Sequence, residues 1–480
     1  MKRFFVLFLS LLLLDGQAQI ANDPVFILPD TARPFSLENF YEQVISYHPV
    51  GKQADLLSDV AKQEIRLARG QFDPKLEAEY LLKQYEGSEY YNLFDGSLKL
   101  PTRSPLTPSV GVERNKGDYV NPENYISSQY DYRQVYAALS LPLGQGLMTD
   151  ERRTALKQAE LFRQLMEAEQ VNIINKLLLD AAKDYWNWFY SYYNYRLAST
   201  TAEIASDLFR RTLLNFEGGE LAPVDTVQAK ITLLERLVAK QEALAQLNNS
   251  AIIVSSYMWD SLQNPLQLSA RHAPIAGDDF DILSTGMLNE LMNLAKTNHP
   301  ELLKLKFKLQ QLELDQRLAS EFLKPKLNVS YYLLNQPIYP EGVITDLTFD
   351  NNFKLGVDFA FPLFLRKERA KVAQTKLKLS ATRYDQQLAF RKITNDINVA
   401  FNQLVTDGLV LQQQRQMVDN YSRLMNAEML NLDNGESDLF KINIQQEKLY
   451  NAQSKFIKVM ADYQKQKAIL YWSAGVRPLK

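Results

Sequence analysis

The 480-residue sequence contains no cysteine. That excludes a disulfide framework, a thiolate nucleophile, a cysteine zinc site and an iron–sulfur cluster. Histidine is nearly absent too: His48, His272 and His299 are the full set, and two of them directly precede proline. Neither sign of charge dominates, with 54 Lys+Arg against 56 Asp+Glu and a formal net charge of −2. Nucleic-acid binding would ask for a clustered basic excess, so no nucleic-acid partner is expected. Gly and Pro are scarce at 18 and 19, while Tyr and Phe reach 25 and 24. Few helix breakers and many aromatics favour long helices and an aromatic surface over a loop-rich enzyme. Beyond the first eighteen residues, no stretch approaches the roughly 20 apolar residues of a spanning helix.

Those eighteen residues read as an export signal. Lys2 and Arg3 give a charged start, and Phe4 to Leu14 is an apolar run too short to span a bilayer. Gly16-Gln17-Ala18 then supplies the small residues of a cleavage site, so the mature chain begins at Gln19. An exported chain without a spanning helix is soluble, anchored by a partner, or inserted as β-strands.

The sequence also repeats itself. His48-Pro49 recurs as His299-Pro300 and Pro74 as Pro325, both at an offset of 251. Leu141-Pro142-Leu143 matches Phe361-Pro362-Leu363 at 220, and Glu151-Arg152 matches Glu368-Arg369 at 217. Asp180 matches Asp396, and Gly219-Glu220 matches Gly435-Glu436, both at 216. The offset shrinks where the first copy carries a longer stretch, Gln84 to Gln129. The expected organisation is a signal at 1–18, a first copy at 19–260, a linker at 261–283, a second copy at 284–476 and a tail at 477–480.

Each copy has one layout. A helix opens it, Ser36 to Gly70 or Gly286 to Leu323, with Ser36 and Ser284 nearby as caps. Two strands follow, then a very long helix, a glycine turn and a shorter helix. Met148 to Glu217 holds neither Gly nor Pro, and Phe364 to Asn434 holds only Gly408. About 65 helical residues would extend roughly 100 Å at 1.5 Å per residue. Such a rod cannot bury itself and needs neighbours along its length; a plain coiled coil is the bland alternative. Gly218-Gly219-Glu220 and Asn434-Gly435-Glu436 mark where each rod stops and reverses. The helices after the turns should run from Val224 to Asn264 and from Glu436 to Ala474.

The strand segments switch to a period of two. They are expected at about 75–84 and 131–142 in the first copy, and 326–334 and 352–362 in the second. Leu76, Ala78, Tyr80 and Leu82 alternate with mostly polar neighbours, as do Val135, Ala137, Leu139 and Leu141. In the second copy Leu327, Val329, Tyr331 and Leu333 pair in pattern with Phe353, Leu355, Val357 and Phe359. Ten-residue segments with one apolar face suit a transmembrane barrel, and Pro74, Pro142, Pro325 and Pro362 mark the strand–helix junctions. Amphipathic hairpins over a soluble core are the alternative. Four strands cannot close a barrel, and lipid does not tolerate an open edge, so several chains would pool their strands. The stretch Tyr85 to Tyr130, with Tyr90, Tyr91, Tyr119 and Tyr125, is expected as a long outer loop.

Taken together, the signal, the duplicated helix–hairpin–long helix–turn–helix layout and the paired LPL/FPL…ER blocks resemble the TolC family of outer-membrane efflux channels. The resemblance implies a mostly α, mixed α+β membrane protein in the outer membrane and periplasm. It implies a homotrimer with a twelve-stranded barrel in outer-membrane lipid, four strands per chain, continuous with a periplasmic α-helical barrel. It further implies a passive duct without catalytic residues, cofactor or metal, working with a periplasmic adaptor (membrane fusion) protein and an inner-membrane pump. The turns at Gly218, Gly219, Glu220 and at Asn434, Gly435, Glu436 resemble the family's periplasmic entrance, where the adaptor docks. Acidic residues after such turns can ring the pore. Asp225 holds that spacing in the first copy, whereas Lys441 replaces it in the second with Asp438 close by. The other reading of Asp225 is a helix N-terminal charge. Two other functional classes stand beside a duct: a periplasmic coiled-coil scaffold or adaptor, and an exported enzyme.

Overall fold

The computed structural model describes residues 32–117, 132–275, 284–335, 349 and 351–477. The export signal, and Tyr119 and Tyr125, lie outside the described residues. In chain order the elements are β1 (Arg33–Phe35), α1 (Leu37–Tyr47), α2 (Pro49–Gly70), β2 (Lys75–Tyr85), β3 (Ser88–Lys99), β4 (Thr107–Lys116), β5 (Tyr132–Pro142), α3 (Glu151–Glu217) and α4 (Pro223–Ser255). They continue with β6 (His272–Pro274), α5 (Thr285–Asn298), α6 (Pro300–Glu321), β7 (Lys326–Leu334), β8 (Phe353–Ala360), α7 (Arg366–Asp433) and α8 (Leu439–Ser473). The long helices α3 and α7 have 67 and 68 residues, close to the expected spans. Among the described residues no helix is long and apolar enough to cross a membrane.

The opening helix of each copy is broken where one continuous helix was expected. Both breaks fall at His-Pro, because the residue before proline is pushed out of the helical region. His48 has φ −64° and ψ 134°, and His299 has φ −61° and ψ 125°. Each histidine then caps the next helix: Nδ1 of His48 accepts from the Val50 N–H, and Nδ1 of His299 from the Glu301 N–H, both at 3.2 Å. Proline at the first helical position loses no bond there, since that N–H would have no intrahelical partner. Ser36 caps α1 through the Asn39 N–H at 3.2 Å, as its residue type suggested.

Helix α4 stops about nine residues short of its expected end. Asp260 closes a turn there, accepting from the N–H groups of Leu262 and Asn264, each at 2.8 Å. These bonds hold its carboxyl below the usual range, and they offer the backbone an alternative to helix.

The chain forms two compact units that cut across the sequence repeat. One comprises residues 1–52, 173–296 and 393–480, the other 53–172 and 297–392. The first unit is organised around the mid-helix aromatic run of α3. Tyr185, Trp188, Phe189 and Tyr193 are almost fully buried, and each such ring removes enough apolar surface to stabilise by about 1.5–3 kcal/mol. β1 and β6 form a two-stranded parallel pair, Arg33 opposite His272 and Phe35 opposite Pro274. The buried phenols tie that pair to α3. Tyr185 donates to the Phe35 carbonyl at 2.7 Å and Tyr193 to the Pro274 carbonyl at 3.0 Å. Burial pushes both phenols up, so they remain donors. This cluster is core packing.

The second unit holds a six-stranded antiparallel sheet in the order β2-β3-β4-β5-β7-β8. Four strands at the expected places are present, but the expectation of four per chain falls short by two. β3 and β4 arise within the stretch expected to be an outer loop, and Tyr90 and Tyr91 belong to β3. The physical reason is that their apolar residues continue the neighbouring strands' face. Leu98 lies opposite Leu76 and Val110, Phe94 opposite Tyr80, and Val112 opposite Val135.

Candidate functional site: the two-faced sheet and the helix turns

One face of the sheet is apolar from edge to edge. Leu76, Tyr80, Leu82, Phe94, Leu98, Val110, Val112, Leu139, Tyr331, Leu333, Phe353, Leu355, Val357 and Phe359 all project there and are exposed. Isolated exposed apolar residues need no explanation, but a continuous band calls for an apolar medium or partner. The opposite face carries Glu77, Asp95, Ser97, Glu113, Gln134, Ser140, Ser330 and Asp358. It is internally bonded: Lys99 meets Glu77 at 2.6 Å, Ser330 donates to Ser140 at 3.1 Å, and Gln134 donates to the Asn335 carbonyl at 2.6 Å.

The four prolines sit at strand–helix junctions. Pro74 and Pro325 immediately precede β2 and β7, Pro142 ends β5, and Pro362 follows β8 by two residues. Gly144 is required where β5 gives way to α3. A Cβ there would lie 2.1 Å from the Pro325 carbonyl oxygen, which instead accepts the Gln145 N–H at 2.8 Å. The Gly144-Gln145-Gly146 segment is thus a structural link.

At the other candidate site the two glycine turns are the same motif. Gly219 and Gly435 both have φ +78°. The Gly219 N–H reaches the Phe216 carbonyl at 3.0 Å and the Glu220 N–H reaches that of Asn215 at 2.9 Å. In the second copy Gly435 bonds Leu432 at 3.0 Å and Glu436 bonds Asn431 at 2.8 Å. This paired pattern satisfies the last carbonyls of α3 and α7 and reverses the chain. Gly218 and Asn434 precede these turns with their N–H groups still bonded to the helix, to Leu214 and Leu430.

The charges after the turns serve as caps. Asp225 accepts the Ala222 N–H at 3.0 Å, and Asp438 accepts the Lys441 N–H at 2.9 Å. One carboxylate therefore closes the start of α4 from the third helical position, and the other closes α8 from the cap position. Lys441 occupies the place equivalent to Asp225 and presents an exposed cation. Sequence reasoning missed β3, β4 and the histidine caps; the alternation around Val110 and Val112 and the repeated His-Pro pair were the available signals.

Comparison with known proteins fits this geometry. The fold is that of outer-membrane channels. CmeC of Campylobacter jejuni, an outer membrane channel, superposes with a TM-score of 0.63 at 14% identity, covering 92% of this chain and 85% of that one. The outer membrane protein VceC of Vibrio cholerae gives 0.62 at 12% identity over 92% and 97% of the two chains. The open state of the MtrE outer membrane channel of Neisseria gonorrhoeae gives 0.62 at 13% over 92% and 89%. No curated protein matches the chain in sequence. What these superpositions share with the chain is the fold, a curled antiparallel sheet joined to long helices. Residues 291–476, within the second copy, match the model of the outer membrane efflux protein family.

Proposed function

We propose that this chain is one subunit of a homotrimeric passive duct through the outer membrane. An energised inner-membrane pump and a periplasmic adaptor would load it with small molecules, metal ions or secreted substrates. The observation that carries this reading is the sheet: an exposed apolar face continuous over six strands, backed by a polar face, with β2 and β8 each having a single neighbour among the described residues. Lipid accepts such a sheet only when its edges are closed. The helices need neighbours as well. On α4, Val227, Ile231, Leu234 and Val238 form an exposed stripe at spacings of four, three and four, the seam of a helix with a partner. The Gly219 and Gly435 turns would form the periplasmic entrance and adaptor-docking tips.

Fractionation and bilayer recording test this. A duct stays with detergent-extracted outer membranes, runs as a heat-sensitive oligomer and conducts ions in planar bilayers. Material that washes off with salt and leaves a bilayer silent would instead be the periplasmic scaffold.

A further inference from the structure

We infer that three copies close an eighteen-stranded barrel, in which the β3–β4 hairpin forms two additional wall strands per copy; this rests on the duct reading above. The twelve-stranded barrel implied by four strands per chain does not accommodate the sheet. β3 pairs with β2 from Lys75↔Lys99 to Tyr85↔Ser88, and β4 pairs with β5 from Thr107↔Ser140 to Asn115↔Tyr132. The hairpin therefore lies between the strands that would otherwise be neighbours, hydrogen-bonded on both sides. Its Leu98, Val110 and Val112 continue the exposed apolar band, and its Asp95, Ser97 and Glu113 continue the polar face. A plug or external loop would not carry both faces in register with the wall.

Closure also has a defined seam. The six strands alternate in direction, so β2 and β8 run oppositely, and β8 of one copy can pair antiparallel with β2 of the next. Such a head-to-tail contact generates a ring. The chain already contains its template, because β5 and β7 join the last strand of the first copy to the first strand of the second. There Leu139 lies opposite Tyr331, Ala137 opposite Leu333 and Ser140 opposite Ser330. The repeat offsets of 251 for β2 to β7 and 220 for β5 to β8 carry this register to the seam. Tyr80 then faces Phe359 of the next copy, Leu82 faces Val357, and Glu79 faces Ala360. Apolar residues meet on one face throughout, and a slip by one residue would set them against polar ones. β2 is exposed along its whole length, and β8 at all but one position, as strands awaiting this contact should be. Since barrel diameter grows roughly linearly with strand number, the membrane lumen would be about 1.5 times as wide as with twelve strands.

The absence of cysteine makes the test direct. Tyr80→Cys with Phe359→Cys, and Glu79→Cys with Ala360→Cys, sample both faces of the seam, since only one face of an antiparallel pair brings its residues to the closer spacing. On oxidation, at least one pair should give a covalent ladder ending at three copies. Ser140→Cys with Ser330→Cys, whose native hydroxyls lie 3.1 Å apart, should cross-link within a single copy. Then Ser109→Cys and Val110→Cys, adjacent on β4, are treated in liposomes with a membrane-impermeant maleimide. Ser109→Cys should react through the water-filled lumen, and Val110→Cys should be protected until the protein is denatured. A ladder ending at two, no ladder from either seam pair, or equal labelling of the two β4 positions overturns the eighteen-stranded barrel. Bilayer conductance of the same variants reports separately on the duct itself.

Discussion

The Tyr136 hydroxyl on β5 donates to the Asp95 carboxylate on β3, at 3.0 and 3.3 Å to its two oxygens, reaching across β4 between them. The ring crosses at Gly111, where an added Cβ would lie 2.3 Å from the ring. A glycine, a phenol and a carboxylate on three successive strands thus staple the extra hairpin to β5, the last strand of the first copy. Gly111→Val should displace the ring and destabilise the sheet by about 1–3 kcal/mol, the usual cost of overpacking. Tyr136→Phe should cost about 1.5–3 kcal/mol, as expected when a hydrogen bond to a charged group is lost. The temperature at which the oligomer dissociates on a semi-native gel measures both. Unchanged temperatures would mean that the hairpin is held independently of this contact.

Much of the sheet could be read from alternation, and the failures have a physical pattern. The segment at Leu76 to Leu82 and the one at Phe353 to Phe359 repeat apolar residues cleanly at every second position. β3 does not: Leu93 and Phe94 are adjacent, Asn92 falls on the apolar side, and Gly96 leaves a gap. β4 carries Pro108 and Gly111, both turn-like in isolation. Their strand identity comes from cross-strand neighbours such as Leu76 and Val135, which a one-dimensional pattern does not contain. The breaks at His48 and His299 were legible, since proline constrains the residue before it. The helix-start position of Asp225 was legible in the sequence, whereas the cap at Asp438 was not, and the reason the Tyr185 to Tyr193 aromatics are buried required seeing Phe35 and Pro274 beside them.

Acidification should weaken the first unit. Burial lowers the His48 pKa from its ordinary 6.5, and His272 is lowered by burial and then by the nearby Arg33 charge. The unfolded chain therefore takes up protons more readily than the folded one, so stability falls as pH drops below about 6.5 and levels off beneath the folded values. A proton on Nδ1 of His48 would also abolish its acceptance of the Val50 N–H. Unfolding midpoints at pH 7.5 and 5.5 should differ in the native chain, and His48→Asn, which caps without titrating, should shrink the difference. An equal drop in the variant would remove His48 from the account.

The entrance turns should tolerate asparagine better than branched residues. Nothing lies within 4 Å of a Cβ built at Gly219 or Gly435, so a substitution meets only the left-handed backbone. A β-branched residue there should cost about 1–2 kcal/mol, and asparagine less, because it tolerates that region. Gly219→Val and Gly435→Val should lower the melting temperature by similar amounts, since the two turns share one geometry. If the tips also dock an adaptor, co-purification with it should fall in Gly219→Val and Gly435→Val and persist in the asparagine variants. Loss of docking in all four with stability unchanged would point to a direct contact at the glycines.

Capping and pore charge at Asp225 can be separated by choice of substitution. Asp225→Asn keeps an oxygen that can accept the Ala222 N–H but removes the charge, while Asp225→Ala removes both. As a cap, the alanine variant should lose about 0.5–2 kcal/mol and the asparagine variant much less. As a member of an entrance ring, Asp225 would appear once per copy, and its field would be concentrated at a constriction. Asp225→Asn should then reduce the preference for cations without altering the melting temperature, and Lys441→Asp should increase it. Lys441 contributes only its backbone N–H to the Asp438 cap, so Lys441→Asp leaves that cap intact and changes charge alone. A reversal potential that moves in opposite directions for these two variants supports the ring. A potential unmoved by either assigns Asp225 to the helix start and leaves Lys441 a solvated cation.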